Sequence, residues 1–145
     1  MLVETANVAK VLIVEDEFLV ALQLEEIIAA GGHAVVGTVC DRASLGTVGE
    51  RPDIALVDLN LRDGLTGPEI ARSVASQYAA RVIYVTANPG QIDFPAETAV
   101  GIVQKPFSPA AILAAINYAM AGCPETPRPQ GLEVLPAPQC PPQRA

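Results

Sequence analysis

From residue 10 to residue 122, short apolar runs alternate with helical periodicities. Residues 10–14 (KVLIV), 34–39 (AVVGTV), 53–59 (DIALVDL), 81–87 (RVIYVTA) and 100–104 (VGIVQ) read as strands. Between the first two, Val20, Leu24, Ile27 and Ile28 share one helical face, and Gly31–Gly32 stops the helix. A second strong helix begins at Pro68, a first-turn position where the missing N–H costs nothing, and runs to about residue 79. Ser108 is the cap of a last helix, followed by Pro109, with Ile112, Leu113, Ile116, Ala119 and Met120 on its apolar side. The two remaining connections are poor helices. Gly46 and Gly49 weaken one, and Pro89, Gly90 and Pro95 interrupt the other.

Five such strand–helix units predict an α/β fold with a five-stranded parallel sheet and helices on both faces. Strands buried on both faces read as continuous apolar runs, as these do. The chain divides into an N-terminal extension (1–9), one folded unit (10–122) and a tail (123–145) with seven prolines. The tail has no periodic pattern and is expected to be disordered or extended.

Composition narrows the function. The net charge is −7, and the tail's charges cancel, so the acidity sits in the first 122 residues. With no basic stripe and few aromatics, nucleic acid is an unfavourable partner. No apolar stretch is long enough to span a bilayer, and the first residues carry no secretory pattern, so the expected location is the cytoplasm. Cys40, Cys123 and Cys140 lack metal-ligand spacing, and their odd number argues against a disulfide framework. His33, the single histidine, reads as a solvated turn residue.

The chemistry lies where the apolar runs end. Ligands of open parallel sheets bind at the carboxyl ends of the strands. Glu15 and Asp16 follow the first strand, Asp58 ends the third, Thr86 ends the fourth and Lys105 follows the fifth. Three carboxylates brought together repel, and a hard cation such as Mg²⁺ relieves that repulsion. Lysine offers a point charge to a phosphoryl oxygen, a threonine hydroxyl can donate to one, and a carboxylate can act as the nucleophile.

The motifs VLIVEDE, LVDLNLRDG, VTANP and QKPF, in this order and spacing, resemble the receiver domain of two-component response regulators. The resemblance covers residues 10–122 and implies the flavodoxin/CheY-like doubly wound sheet, order 2-1-3-4-5. It implies Asp58 as phosphoacceptor, Thr86 as switch hydroxyl and Lys105 as the phosphoryl-pairing cation. It also implies Mg²⁺ held by Asp16 and Asp58, by Glu15 through water, and by the Asn60 carbonyl, with a cis Lys105–Pro106 bond. Ile102 stands where the family usually has an aromatic residue, and the loop after Asp58 is one residue longer than the commonest form, with Leu61–Arg62 in place of Met-Pro. These departures resemble the alphaproteobacterial general-stress (PhyR-type) receivers.

The resulting expectation is a stand-alone receiver, monomer or weak dimer, not an enzyme beyond its own phosphorylation and dephosphorylation. Its phosphodonor is a histidine kinase or histidine phosphotransfer protein. Its output is a protein contact on the face of the fourth helix, fifth strand and last helix. The alternative is a phosphorylation-independent receiver-like binding module. A phosphohydrolase of this architecture would carry a second acid where Asn60 stands, and a dinucleotide binder would need a glycine-rich loop where EDEFL stands.

Overall fold

The computed structural model describes residues 8–61, 64, 66–92, 95–124 and 129–135. The expectations for Arg62, for Cys140 and for most of the N-terminal extension and tail lie outside these residues.

The chain runs β1 (Lys10–Val14), α1 (Phe18–Ala30), β2 (Ala34–Val39), β3 (Ile54–Val57), α2 (Gly67–Tyr78), β4 (Arg81–Thr86), β5 (Ala99–Gln104), α3 (Pro109–Met120) and β6 (Leu132–Val134). The sheet order is β2-β1-β3-β4-β5-β6. Strands β1 to β5 pair in parallel as the doubly wound order requires, and β6 adds antiparallel to β5.

Alternation along the strands divides the core in two. Val11 and Ile13, Ile54 and Leu56, and Ile83 and Val85 point to one face, where α1 brings Leu24 and Ile28 and α3 brings Ile112 and Ile116. Leu12 and Val14, Ala55 and Val57, and Val82 and Tyr84 point to the other, where α2 brings Ile70 and Val74. Each large aliphatic side chain buried here contributes about 1.5–3 kcal/mol relative to exposure.

The helix ends follow the punctuation in the sequence. After α1, Gly32 has φ +86°, and the N–H groups of Gly32 and His33 donate to the carbonyls of Ala29 and Ile28. That is a Schellman stop, which needs a residue tolerant of positive φ. The same pair of bonds closes α3, from Gly122 to Ala119 and from Cys123 to Tyr118. At the start of α3, Ser108 Oγ accepts from the Ala111 N–H at 3.1 Å.

Four features differ from the sequence reading. The two poor helices are 3₁₀ turns, Ala43–Thr47 and Pro89–Gln91, because the glycines and prolines forbid a sustained α ladder. The tail, expected to be disordered or extended, contributes the edge strand β6. The expected output face is consequently remade, with a 3₁₀ turn in place of its helix and β6 along the outer edge of β5. Finally, His33 is half-buried rather than solvated. Its Nδ1 accepts from the Ala9 N–H at 2.9 Å, so Nε2 carries the proton that reaches Asn117 Oδ1 at 3.2 Å.

Candidate functional site

Three of the site residues sit one step past a strand, and the backbone of each carries its ladder forward. Glu15 N–H donates to Val39 O, Asp58 N–H to Val14 O and Lys105 N–H to Thr86 O, each at 2.9 Å. These bonds fix the backbone of each residue against the neighbouring strand. A group so held does not spend free energy on ordering when a ligand arrives.

The side chains then converge. Lys105 Nζ lies 3.0 Å from Glu15 Oε1 and 3.2 Å from Asp58 Oδ2. Glu15 Oε2 also accepts from the Glu17 N–H at 3.2 Å. Glu15, Asp16 and Asp58 each offer a carboxylate oxygen, and these oxygens lie within 4.8 Å of one another. Glu15 and Asp58 are buried, Asp16 is half-buried and opens the cluster to solvent. Thr86 is fully buried at the end of β4, and its Oγ1 accepts from the Asn88 N–H at 3.0 Å. Asn60 is exposed, two residues beyond Asp58. The Lys105–Pro106 peptide is cis.

Electrostatics follow from the burial. Desolvation is the largest effect on Glu15 and holds its carboxyl above the ordinary carboxylate range, with Asp58 adding to the rise and Lys105 opposing it. For Lys105, burial alone would favour the neutral amine. The hydrogen bond and charge of Glu15, together with Asp58, outweigh that and leave the ammonium more basic than usual. Among the described residues three carboxylates thus face one ammonium. An all-oxygen donor set of this kind, short of positive charge, suits a hard divalent cation.

One residue of the site escapes a reading by residue type. Gly67 opens α2, and its N–H donates to Leu59 O at 3.1 Å. A Cβ on Gly67 would lie 2.0 Å from Asp58 O and 2.6 Å from Leu59 Cα. Only glycine lets α2 start this close beneath the Asp58 strand end. The Gly-Pro pair at a helix start was the available signal. Beside the cluster, Val20, Gln23, Ala87, Lys105, Pro106 and Phe107 line a cavity of about 360 Å³.

Residues 11–117 match the family described as the response regulator receiver domain. The chain belongs to that family. This receiver is 32% identical over 119 residues to the phyllosphere-induced regulator PhyR of Methylorubrum extorquens, an alignment covering 77% of this chain and 43% of that protein. The chain spans about half the length of the curated relatives it matches, 43% and 57%. Among solved structures, the receiver domain of Erythrobacter litoralis PhyR superposes with a TM-score of 0.71 at 32% identity, covering 79% of this chain and 91% of that one. SdrG from Sphingomonas melonis superposes with a TM-score of 0.60 at 28% identity, covering 82% and 98%. The fold and order expected of a receiver are therefore those observed, with β6 added. Among the described residues no helix is long and apolar enough to cross a membrane.

Proposed function

We propose that this receiver accepts a phosphoryl group on Asp58 from the phosphohistidine of a histidine kinase or phosphotransfer protein. One observation carries the reading. The Asp58 carboxylate lies 3.2 Å from the Lys105 ammonium, inside a trio of carboxylates whose oxygens lie within 4.8 Å of one another.

Asp58 supplies the nucleophilic oxygen. Its attack forms the O–P bond as the donor's P–N bond breaks, and the donor imidazole leaves with the electron pair. Lys105 is placed to move its ammonium from Asp58 onto a phosphoryl oxygen, keeping Glu15 as second partner. Thr86 offers a hydroxyl from the neighbouring strand end. Asp16 and Asp58 would hold Mg²⁺ directly, with Glu15 acting through water and the Asn60 carbonyl completing the protein's share. Mg²⁺ would supply charge neutralisation for the incoming phosphoryl oxygens. The chain's own part is alignment, because the ladder bonds keep the acceptor in line. The phosphorylated chain then signals through protein contacts in the cytoplasm. It turns over no external substrate.

The test is intact mass after incubation with Mg²⁺ and acetyl phosphate, beside Asp58→Ala. A Mg²⁺-dependent gain of one phosphoryl group, absent in the variant, is the expected result. No gain, even with candidate kinases, sinks the reading. It would favour the second one, a binding module that works without phosphate. The observation behind that alternative is Ile102, buried in the core opposite α1 and α3 where the family usually has an aromatic switch residue.

A further inference from the structure

The outer edge of β5 is shaped to take a strand. Gly101, Ile102 and Val103 pair with Val134, Glu133 and Leu132. A Cβ on Gly101 would lie 2.6 Å from Glu133 O and 2.8 Å from Leu132 Cδ1. The edge is therefore bare backbone at the point where β6 comes closest. Gly131, at φ +84°, turns the chain onto Ala111, where a Cβ would lie 2.7 Å from the Ala111 Cβ. Leu132 is buried in the core beneath α3, Val134 packs on the same side, and Leu135 packs on the opposite side of the sheet. Glu133 alternates between them and faces solvent. The grip is nevertheless small, three paired residues extended by the Leu135 N–H, which donates to Val100 O at 3.0 Å. Strands this short are marginal on their own. The covalent tether to α3 adds to that grip an effective concentration on the order of millimolar.

We propose that the β5 edge is a strand-acceptor surface, that β6 occupies it in cis, and that the partner it fits is an extended protein segment repeating the chemistry of residues 132–135. That segment carries apolar side chains at two alternate positions facing α3 and a third facing the other side. Main-chain bonds supply its affinity and the apolar slots its specificity. It binds only by displacing β6, so the resident strand sets a threshold for the partner.

The test is an NMR titration of the ¹⁵N-labelled full-length chain with the peptide PQGLEVL, residues 129–135. Two variants unseat the resident strand by different routes. Leu132→Asp puts a carboxylate in the buried slot. Glu133→Pro removes a donor. The Leu135–Val100 bond and the alternation of an antiparallel ladder place the next bonded pair at Glu133–Ile102. In either variant the peptide is expected to shift the amides of residues 100–104, with a midpoint at least about tenfold lower than in the wild type, where the tethered strand competes. Adding Gly101→Val to Leu132→Asp should abolish the shifts. Three results overturn the proposal. One is a folded variant, confirmed by its thermal transition, whose β5 amides ignore the peptide. Another is equal midpoints in wild type and variants. The last is a wild-type dimer that Leu132→Asp dissociates, which would mean that a second copy supplies the strand. Neither Mg²⁺ nor a phosphodonor enters the measurement, so its outcome is independent of the chemistry at Asp58.

Discussion

Replacing Gly67 by alanine adds one methyl group at the most crowded backbone approach in the site. Its three nearest neighbours would be Asp58 O at 2.0 Å, Leu59 Cα at 2.6 Å and Leu59 O at 2.8 Å. All are main-chain atoms of the acceptor strand end, so none can rotate away. Overpacking a tight site costs about 1–3 kcal/mol, and an immovable backbone puts this case near about 3. Alanine's better helix propensity returns up to about 1 kcal/mol. The net loss is about 2 kcal/mol, which for a domain of this size lowers the melting temperature by about 8 °C. Relief of the clash must also move Asp58 and Leu59, so the rate of phosphorylation by acetyl phosphate should fall along with stability. The assay is thermal unfolding followed by circular dichroism, with intact mass against time for the reaction. Gly46→Ala and Gly90→Ala are the controls. Neither position has an atom within 4 Å of the added carbon, and each change should stay within about 0.5 kcal/mol of wild type. A Gly67→Ala protein that melts within about 2 °C of wild type refutes the reasoning, because no such clash could then exist.

Other expectations follow from the same geometry. Mg²⁺ at about ten times its Kd should stabilise the wild type by about 1.4 kcal/mol. Asp16→Asn should remove most of that gain, and a wild-type melting temperature indifferent to Mg²⁺ would count against a cation in the carboxylate trio. Tyr84 is buried, and that burial holds its phenol above the ordinary value of 10.0, so the folded state favours the neutral ring. Its contribution is therefore complete below about pH 10 and is lost as pH rises through the folded pKa, where the unfolded chain ionises first. Tyr84→Phe leaves the Ala96 N–H, now 2.9 Å from the phenol oxygen, without its acceptor. It should lose about 1–3 kcal/mol at neutral pH yet show a flatter alkaline decline. Equal alkaline slopes for the two proteins would exclude that origin. His33→Ala removes the acceptor of the Ala9 N–H and the contact with Asn117, and should cost about 1–2 kcal/mol. In a double-mutant cycle, His33 and Asn117 should couple in stability. Strict additivity would contradict the bond.

The legible part of this molecule is local or periodic. Continuous apolar runs such as IALV and VLIV announce strands covered on both faces, and Ser108-Pro109 and Gly31–Gly32 mark helix ends that the structure keeps within a residue or two. The cluster at the carboxyl edge was legible too, because a parallel sheet brings its strand ends together whatever lies between them. Glu15, Asp58, Thr86 and Lys105 needed only their places after apolar runs. What stayed hidden depends on distant partners. β6 is three residues in a proline-rich stretch, and its pairing is decided by the bare backbone at Gly101, about thirty residues earlier in the chain. His33 finds its donor and acceptor partners 24 and 84 residues away. Gly67 matters for an atom it lacks, and such a role has no signature in residue type beyond the proline beside it.

The two faces of the sheet are clothed unequally. One lies under α1 and α3, the other under α2 and irregular backbone, with Tyr84 and Ile102 beneath the connection from β4 to β5. In that connection the described residues form a single 3₁₀ turn, and the Ala96 N–H is anchored to the sheet through one phenol oxygen. Cooperative units with few main-chain bonds of their own open at low free energy while the rest stays closed. The described residues between Thr86 and Ala99 are therefore expected to lose hydrogen-exchange protection at a lower free energy than β1 and β3. Glu15 and Asp58, by contrast, are fastened through their own N–H groups to β2 and β1, so local opening beside Thr86 is expected to leave their backbones in place.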